Sequence, residues 1–301
     1  MYDSIIIGAG IAGLSSAIYA SRKRMKFEII SSDIGGQFMV SGEILNYPGI
    51  VKTTGVGFSS VMEEQMKFNN VNIIKESVKK IEKLGSNFKV ITDKKEYETR
   101  TVIIATGARP RKIGVPGEEE FAKKGVTYCS ICDGPLFSGK DVVIIGGGDA
   151  ALEAVDFLKE IVSKIYLLVR GDKFTAHEYL QERVKENSKV EILFNVETKE
   201  ILGDNFVSGV KYEQDGEEKT IDVQGVIIEI GRIPNTENFE DVIKLDEHNH
   251  ISIDCQTNTN VPGIFAAGDC ASGHEYQYVI AAGQGCMALI KAARYLAKKK
   301  D

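Results

Sequence analysis

The 301-residue sequence has little that would carry it to a membrane or to nucleic acid. No apolar stretch reaches the ~20 residues that a bilayer-spanning helix needs. No basic leader precedes the first apolar run, in Met1-Tyr-Asp-Ser-Ile-Ile-Ile7, so no secretory signal is expected. Positive charge is not in excess: 37 Lys and Arg stand against 43 Asp and Glu, a net charge of −6, which leaves no footprint for nucleic acid or an anionic membrane. The one basic run, Lys298-Lys299-Lys300, reads as a solvated helix end. Long polar tracts and solenoid-length repeats are absent, which excludes disordered and repeat-array classes. Cysteine is scarce. Five in a chain of this size is an odd count, unlike a secreted disulfide scaffold, and fits a reducing cytoplasm, where a CxxC pair serves redox or metal chemistry.

What remains is a chain with 43% hydrophobic residues, enough for roughly two domains of ~150 residues. Ser4-Ile-Ile-Ile7 is a short apolar run ending in Gly8, Gly10 and Gly13; a helical pattern then extends to about Arg22, and Phe27-Glu-Ile-Ile30 is a second run. This is a βαβ unit with the spacing G-x-G-x-x-G. Gly8 permits the tight turn, Gly10 lets a pyrophosphate approach the backbone, and Gly13 lets the helix pack on the strand. Asp33 is the nearest acidic candidate for the ribose hydroxyls. A packing role for the glycines is the plainer alternative. The unit recurs at Asp141–Ile145, followed by Gly146, Gly147, Gly148, Asp149, Ala150 and Ala151, a G-x-G-x-x-A turn, and Lys164–Val169 is its next strand.

Thr101–Gly107 and Gly263–Asp269 read as further strands running into glycine turns, one on each side of the second unit. The expectation is an α/β fold of two Rossmann-like, three-layer ββα dinucleotide-binding domains, the second inserted in the first. Residues 1–113 and 241–301 would form the first dinucleotide-binding domain, and 114–240 the inserted one.

The chemical centre is Tyr128-Cys129-Ser130-Ile131-Cys132-Asp133-Gly134. Two cysteines three apart can close a small disulfide ring, a thiol at a helix start tends toward thiolate, and Asp133 could carry a proton in thiol–disulfide exchange. Half a zinc site is the rival reading, but there is no second CxxC, and the other cysteines offer only a loose Cys270-x-x-x-His274. No metal is expected. Two unrelated buried cysteines and a passive regulatory disulfide stay open.

Read together, GAGIAG (8–13), GGQ (35–37), NYPG (46–49), ATGARP (105–110), CSICDG (129–134), GGGDAALEA (146–154), GRIPNT (231–236), FAAGD (265–269) and AAGQGCMA (281–288) resemble the low-molecular-weight thioredoxin reductases over nearly the whole chain. The resemblance implies FAD extended over Gly8, Gly10, Gly13, Gly36, Gln37, Asn46, Thr106, Gly107 and Asp269, with Gln277 near the isoalloxazine. It implies that Cys132 faces the flavin, that Cys129 attacks the disulfide of thioredoxin or a thioredoxin-like protein, and that Asp133 is the acid–base group. Gly146, Gly148, Asp149, Ala150 and Arg170 would meet NAD(P)H. Homodimers with a rotating inserted domain are implied as well.

Two departures qualify this. The family's basic cluster after the second unit, which grips the 2′-phosphate of NADPH, is here Val169-Arg-Gly-Asp-Lys-Phe-Thr175, with Arg170 alone in a matching position and Lys173 nearby. NADPH, NADH and reduced ferredoxin or a deazaflavin therefore compete as donor. The family's Arg-Gln before the last helix is here Tyr276-Gln277-Tyr278, where one tyrosine could stack on the flavin or simply pack. Outside reductase chemistry, an FAD-dependent dithiol oxidase and a non-catalytic flavin redox sensor remain alternatives.

Overall fold

The computed structural model describes residues 1–40, 43–44, 46–273 and 276–299; His274 and Lys300 lie outside them. Five short runs, Ser4–Ile7, Phe27–Ser31, Ile73–Lys75, Val102–Ile104 and Ile264–Ala266, form one sheet in which every neighbouring pair is parallel. Its strand order is 264–266, 102–104, 4–7, 27–31, 73–75. The runs are apolar without alternation because both faces are covered. Ile6, Ile29, Ile103 and Phe265 pack on the helices Ile11–Arg22 and Tyr278–Lys298, whereas Ile5, Ile7, Ile30, Val102 and Ile104 pack on an antiparallel sheet of Val78–Leu84, Asn87–Thr92 and Glu96–Thr99.

A second parallel sheet repeats the plan with Val126–Thr127, Gly225–Ile228, Asp141–Ile145, Lys164–Val169 and Val190–Phe194, in that order. Val142, Ile144, Ile165 and Leu167 meet the helices Asp149–Leu158 and Glu178–Lys185; Val143, Ile145, Leu168 and Val226 meet the antiparallel sheet Val196–Gly203, Val207–Gln214 and Glu217–Asp222. The fold is therefore α/β, with two Rossmann-like units of helix, parallel sheet and antiparallel sheet.

Met1–Arg109 with Ile233–Asp301 makes one compact unit, and Pro110–Arg232 the other. The crossings thus lie at 109/110 and 232/233, where the sequence suggested 113/114 and 240/241. The reason lies in local packing. Ile113 and Val115 pack into the core of the second unit, while Phe239 is 2% exposed in the core of the first and Asn235 N–H donates to the Gly107 carbonyl.

The first unit is closed by its last helix. Ser15 Oγ donates to the Ala282 carbonyl (2.8 Å) and Ser16 Oγ to that of Gly285 (2.7 Å). A Cβ at Gly285 would lie 2.0 Å from the Ala12 carbonyl oxygen, so only glycine permits this approach. Among the described residues, no helix is long and apolar enough to cross a membrane.

Candidate functional site

In the first unit, the glycine turn after Ser4–Ile7 sets the geometry. Gly8 has φ +104°, which an L side chain rarely adopts, and its Cβ would sit 2.2 Å from the Ala105 carbonyl oxygen. A Cβ at Gly13 would lie 1.9 Å from the Gly8 carbonyl oxygen, so the helix rests directly on the turn. Gly10, which caps that helix, is different: nothing stands within 4 Å of where its side chain would be. A Cβ added at Gly36 (φ +53°) would lie 3.4 Å from the Gly10 Cα, and the Gly35 N–H donates to the Ala9 carbonyl.

These loops wall a cavity of about 450 Å³, within the range of roughly 300–1,000 Å³ usual for cofactor sites. Of the residues expected for FAD, Gly8, Gly10, Asp33, Gly36, Gln37, Thr106, Gly107 and Asp269 line it. Gly13, Asn46 and Gln277 do not. Gly13 lies beneath the turn, and Asn46 Nδ2 donates to Gln277 Oε1 (3.2 Å). Gln37 Nε2 donates to the Ala108 carbonyl (3.1 Å), and Asp33 Oδ1 accepts from Ser31 Oγ (3.4 Å). Thr106 and Asn235 clamp one another: Thr106 Oγ1 donates to the Asn235 carbonyl (2.6 Å), and Asn235 Nδ2 donates to the Thr106 carbonyl (2.9 Å).

Three lining groups were not singled out from the sequence. Asn235 lies within the quoted GRIPNT piece, but its clamp on Thr106 is tertiary. Arg109 donates to Asn235 Oδ1 (2.6 Å) and pairs with Glu237 (2.8 Å). Glu76 is a buried carboxylate that accepts from Thr92 Oγ1 (2.7 Å) and Tyr97 Oη (2.9 Å). The two tyrosines separate in role. Tyr278 lines the cavity and donates to the Gln37 carbonyl (3.3 Å), whereas Tyr276 Oη lies 2.8 Å from Nε2 of the buried His250.

The cavity fits an extended dinucleotide. It offers main-chain groups at a helix start, an open position at Gly10 and at Gly107, and a polar wall.

In the second unit, Cys129 is disulfide-bonded; Cys255, Cys270 and Cys286, all in the first unit, are free. Cys132 lies on the single-turn helix Ser130–Asp133, and its side chain is outside the described residues. Thr127 organises the turn: its Oγ1 donates to Asp133 Oδ2 (2.5 Å) and accepts from the Cys129 N–H (3.1 Å). Just before the cysteine, Tyr128 Oη donates to Glu118 (2.7 Å), a carboxylate that also accepts from the N–H groups of Ile113 and Gly114. No group of three or more potential metal ligands occurs among the described residues.

The second glycine turn lies in this unit too. Gly148 caps the helix Asp149–Leu158, with Ala150 in its first turn, and Gly146 packs on the Glu229 carbonyl. The segment 174–177 folds over the turn: Thr175 N–H and Oγ1 both reach the Gly147 carbonyl (2.8 and 3.3 Å), and the His177 N–H donates to Asp149 Oδ1 (2.7 Å). Arg170 is exposed just beyond the end of Lys164–Val169. Two carboxyls flank the turn. Burial pushes Glu229 up to about 7, against the pull of the Ser130 N–H and Arg232, and burial followed by Asp149 raises Glu153.

Residues 2–293 match the model of the pyridine nucleotide-disulphide oxidoreductase family. The chain belongs to that family. Members bind FAD and use NAD(P)H, so it is a flavoprotein oxidoreductase. It is 38% identical to an NADH dehydrogenase of Bacillus subtilis and 40% identical to an alkyl hydroperoxide reductase component of Staphylococcus aureus, over 98% of its length in each case. It spans only 58% and 59% of those two relatives. Among solved structures, it is 35% identical to the thioredoxin reductase of Lactococcus lactis, with a TM-score of 0.86 over 99% of this chain and 100% of that one. A ferredoxin-flavin thioredoxin reductase of Clostridium acetobutylicum is 30% identical over 99% of this chain and 98% of its own, with a TM-score of 0.55.

Proposed function

We propose that the protein is a thioredoxin-disulfide reductase, passing two electrons to the disulfide of thioredoxin or a thioredoxin-like protein through Cys129 and Cys132. The observation that carries this reading is the disulfide-bonded Cys129 in a turn whose carboxylate, Asp133, is held by Thr127. FAD, when bound, supplies the two-electron relay between donor and disulfide. The cavity walls would bind and orient it: Gly8, Gly10 and Gly36 would hold the pyrophosphate, Asp33 the ribose, and Gln37, Thr106, Gly107 and Asp269 the remainder, while Gly13 supports the turn from beneath and Asn46 and Gln277, outside the cavity lining, would serve the ring end. Cys132 would exchange electrons with the flavin, Cys129 would attack the partner disulfide, and Asp133 would move the proton. The protein acts as a homodimer in a reducing cytoplasm, where three free cysteines are stable.

For the donor we favour NADH. Arg170 alone remains of the cluster that would hold a 2′-phosphate, and loss of two charge-assisted contacts at ~1.5–3 kcal/mol each weakens NADPH severely. Gly146, Gly148, Asp149 and Ala150 form the phosphate turn. The second reading, ferredoxin, draws on the same eroded cluster and on the segment that folds over Gly147. An anaerobic titration of flavin absorbance decides the matter, with NADH, NADPH and reduced ferredoxin offered separately in the presence of oxidised thioredoxin. Bleaching by NADH with reduction of thioredoxin is expected. A protein bleached by ferredoxin alone overturns the nucleotide reading, and one bleached by a donor but never reducing thioredoxin overturns the reductase reading. Rapid reoxidation in air with a small dithiol as substrate would instead make it a dithiol oxidase.

A further inference from the structure

The cavity of the first unit holds a buried carboxylate that nothing above has put to use. In the sheet beneath it, Ile7, Ile30 and Ile74 stand in one register row across three neighbouring parallel strands. The chain leaves that row as Gly8 on the first strand, as Ser31, Ser32 and Asp33 on the second, and as Lys75 and Glu76 on the third. The Glu76 N–H continues the ladder by donating to the Ser31 carbonyl (3.2 Å). Neighbouring strands lie ~4.8 Å apart, so Glu76 is roughly 10 Å across the strand ends from the Gly8 turn, with Ser32 and Asp33 between them. A dinucleotide with its pyrophosphate on the first helix start and its ribose at the end of the second strand carries its base toward the third.

Glu76 lines the cavity there and is only 7% exposed. Thr92 Oγ1 and Tyr97 Oη, from the antiparallel layer, both donate to the same oxygen, Oε2. Burial first, and then the bond to Glu76, hold the Tyr97 hydroxyl protonated well above its ordinary range, so it is a fixed donor. Oε1 accepts from no described residue and is not sealed inside the protein, so it opens on the cavity. The main-chain acceptors nearby are already engaged: the carbonyl of Lys75 by Lys94 Nζ (2.7 Å), that of Ser77 by the Asp93 N–H (2.9 Å), and that of Val78 by Asn238 Nδ2 (3.0 Å). A carboxylate oxygen only accepts, so the group it meets must donate. On an adenine ring the exocyclic amine is the one donor.

We propose that Glu76 is a specificity-determining residue of the cavity: its Oε1 takes the exocyclic amine of the adenine base, and Thr92 and Tyr97 clamp Oε2 so that Oε1 is presented. The inference rests on the placement of the pyrophosphate at Gly8 and Gly10 and of the ribose at Asp33, and it is independent of the disulfide chemistry.

The test reads binding rather than turnover. The full chain, stripped of flavin, is titrated with FAD, and flavin fluorescence follows its displacement by ADP or by purine riboside 5′-diphosphate, which carries hydrogen in place of the amine. Wild type should bind ADP at least about tenfold more tightly than the analogue, the worth of a hydrogen bond to a charged group. In Glu76→Gln, Thr92 and Tyr97 both need an acceptor and hold the amide oxygen, which turns the amide NH2 toward the base, so the preference should vanish. Glu76→Asp keeps the charge but draws it back by one methylene, and should lose most of the preference. Equal affinity of wild type for the two competitors overturns the proposal without any variant. A wild-type ratio that persists in both variants overturns it too, because the carboxylate is then only structural. If neither competitor displaces FAD, the placement of the dinucleotide fails and takes the proposal with it. Failure of the reductase reading would show in thioredoxin turnover, which these titrations do not record.

Discussion

The two glycine turns share a spacing and differ in what surrounds them. In the first, the third position is Gly13, and a Cβ there would run into the Gly8 carbonyl oxygen; in the second it is Ala151, whose methyl group is accommodated fully buried. The first turn opens onto a cavity, and the second has Thr175 seated on it. A shared spacing therefore specifies strand, turn and helix, and the flanking segments decide how much room a ligand finds.

The largest expected effect separates chemistry from cofactor binding. Cys129→Ser should lower thioredoxin turnover by on the order of 10³-fold or more while the purified protein stays yellow, because the lost thiol is in one unit and the cavity in the other. Surviving turnover would place the attacking thiol elsewhere. Next comes a direct contrast of the turns. Gly13→Ala should lose FAD and at least ~1–3 kcal/mol of stability from overpacking, whereas Ala151→Gly should cost only ~1 kcal/mol, the helix propensity of glycine. Equal losses in the two variants would break the comparison.

Glu229 should make the second unit sensitive to alkali. A carboxyl that titrates at 4.5 unfolded and about 7 folded binds its proton more tightly in the native state. Its stabilising contribution is full below the unfolded value and is lost as pH rises through 7, roughly 3 kcal/mol in all. Urea midpoints at pH 5 and pH 8 should converge in Glu229→Gln relative to wild type. Arg170→Ala should weaken NADPH by roughly 1.5–3 kcal/mol, read as its dissociation constant, with much less effect on NADH. The smallest change is Tyr278→Phe, which removes one hydrogen bond to Gln37 at ~0.5–1.5 kcal/mol and should raise the dissociation constant of FAD a few-fold.

Both βαβ units were legible in the sequence because apolar runs and glycine spacing are local signals. Eight of the residues assigned to FAD converge on one cavity, since they sit on turns at the ends of adjacent strands. What stayed hidden depends on partners distant in sequence. Glu76 looks like any surface glutamate until Tyr97 and Thr92 close over it. Asn235 reaches back 129 residues to Thr106. Glu229 differs from an ordinary strand-end acid through its burial, which the strand pattern alone does not reveal. The antiparallel layers are also silent at sequence level. Lys79, Lys80, Glu82 and Lys83, exposed or half-buried along Val78–Leu84, obscure the buried Val78 and Ile81.

The edge strand Ile264–Ala266 and the helix that receives Ser15 and Ser16 both come after the inserted unit. On a ribosome, residues 110–232 are complete before either has emerged. The inserted unit can thus fold during synthesis, whereas residues 1–109 wait with a sheet edge and a helix face uncovered until residues 264–298 have been made. Nascent chains stalled before residue 264 should accordingly show a protease-resistant middle and a labile leading segment, a vulnerability created by the order in which the sequence is translated.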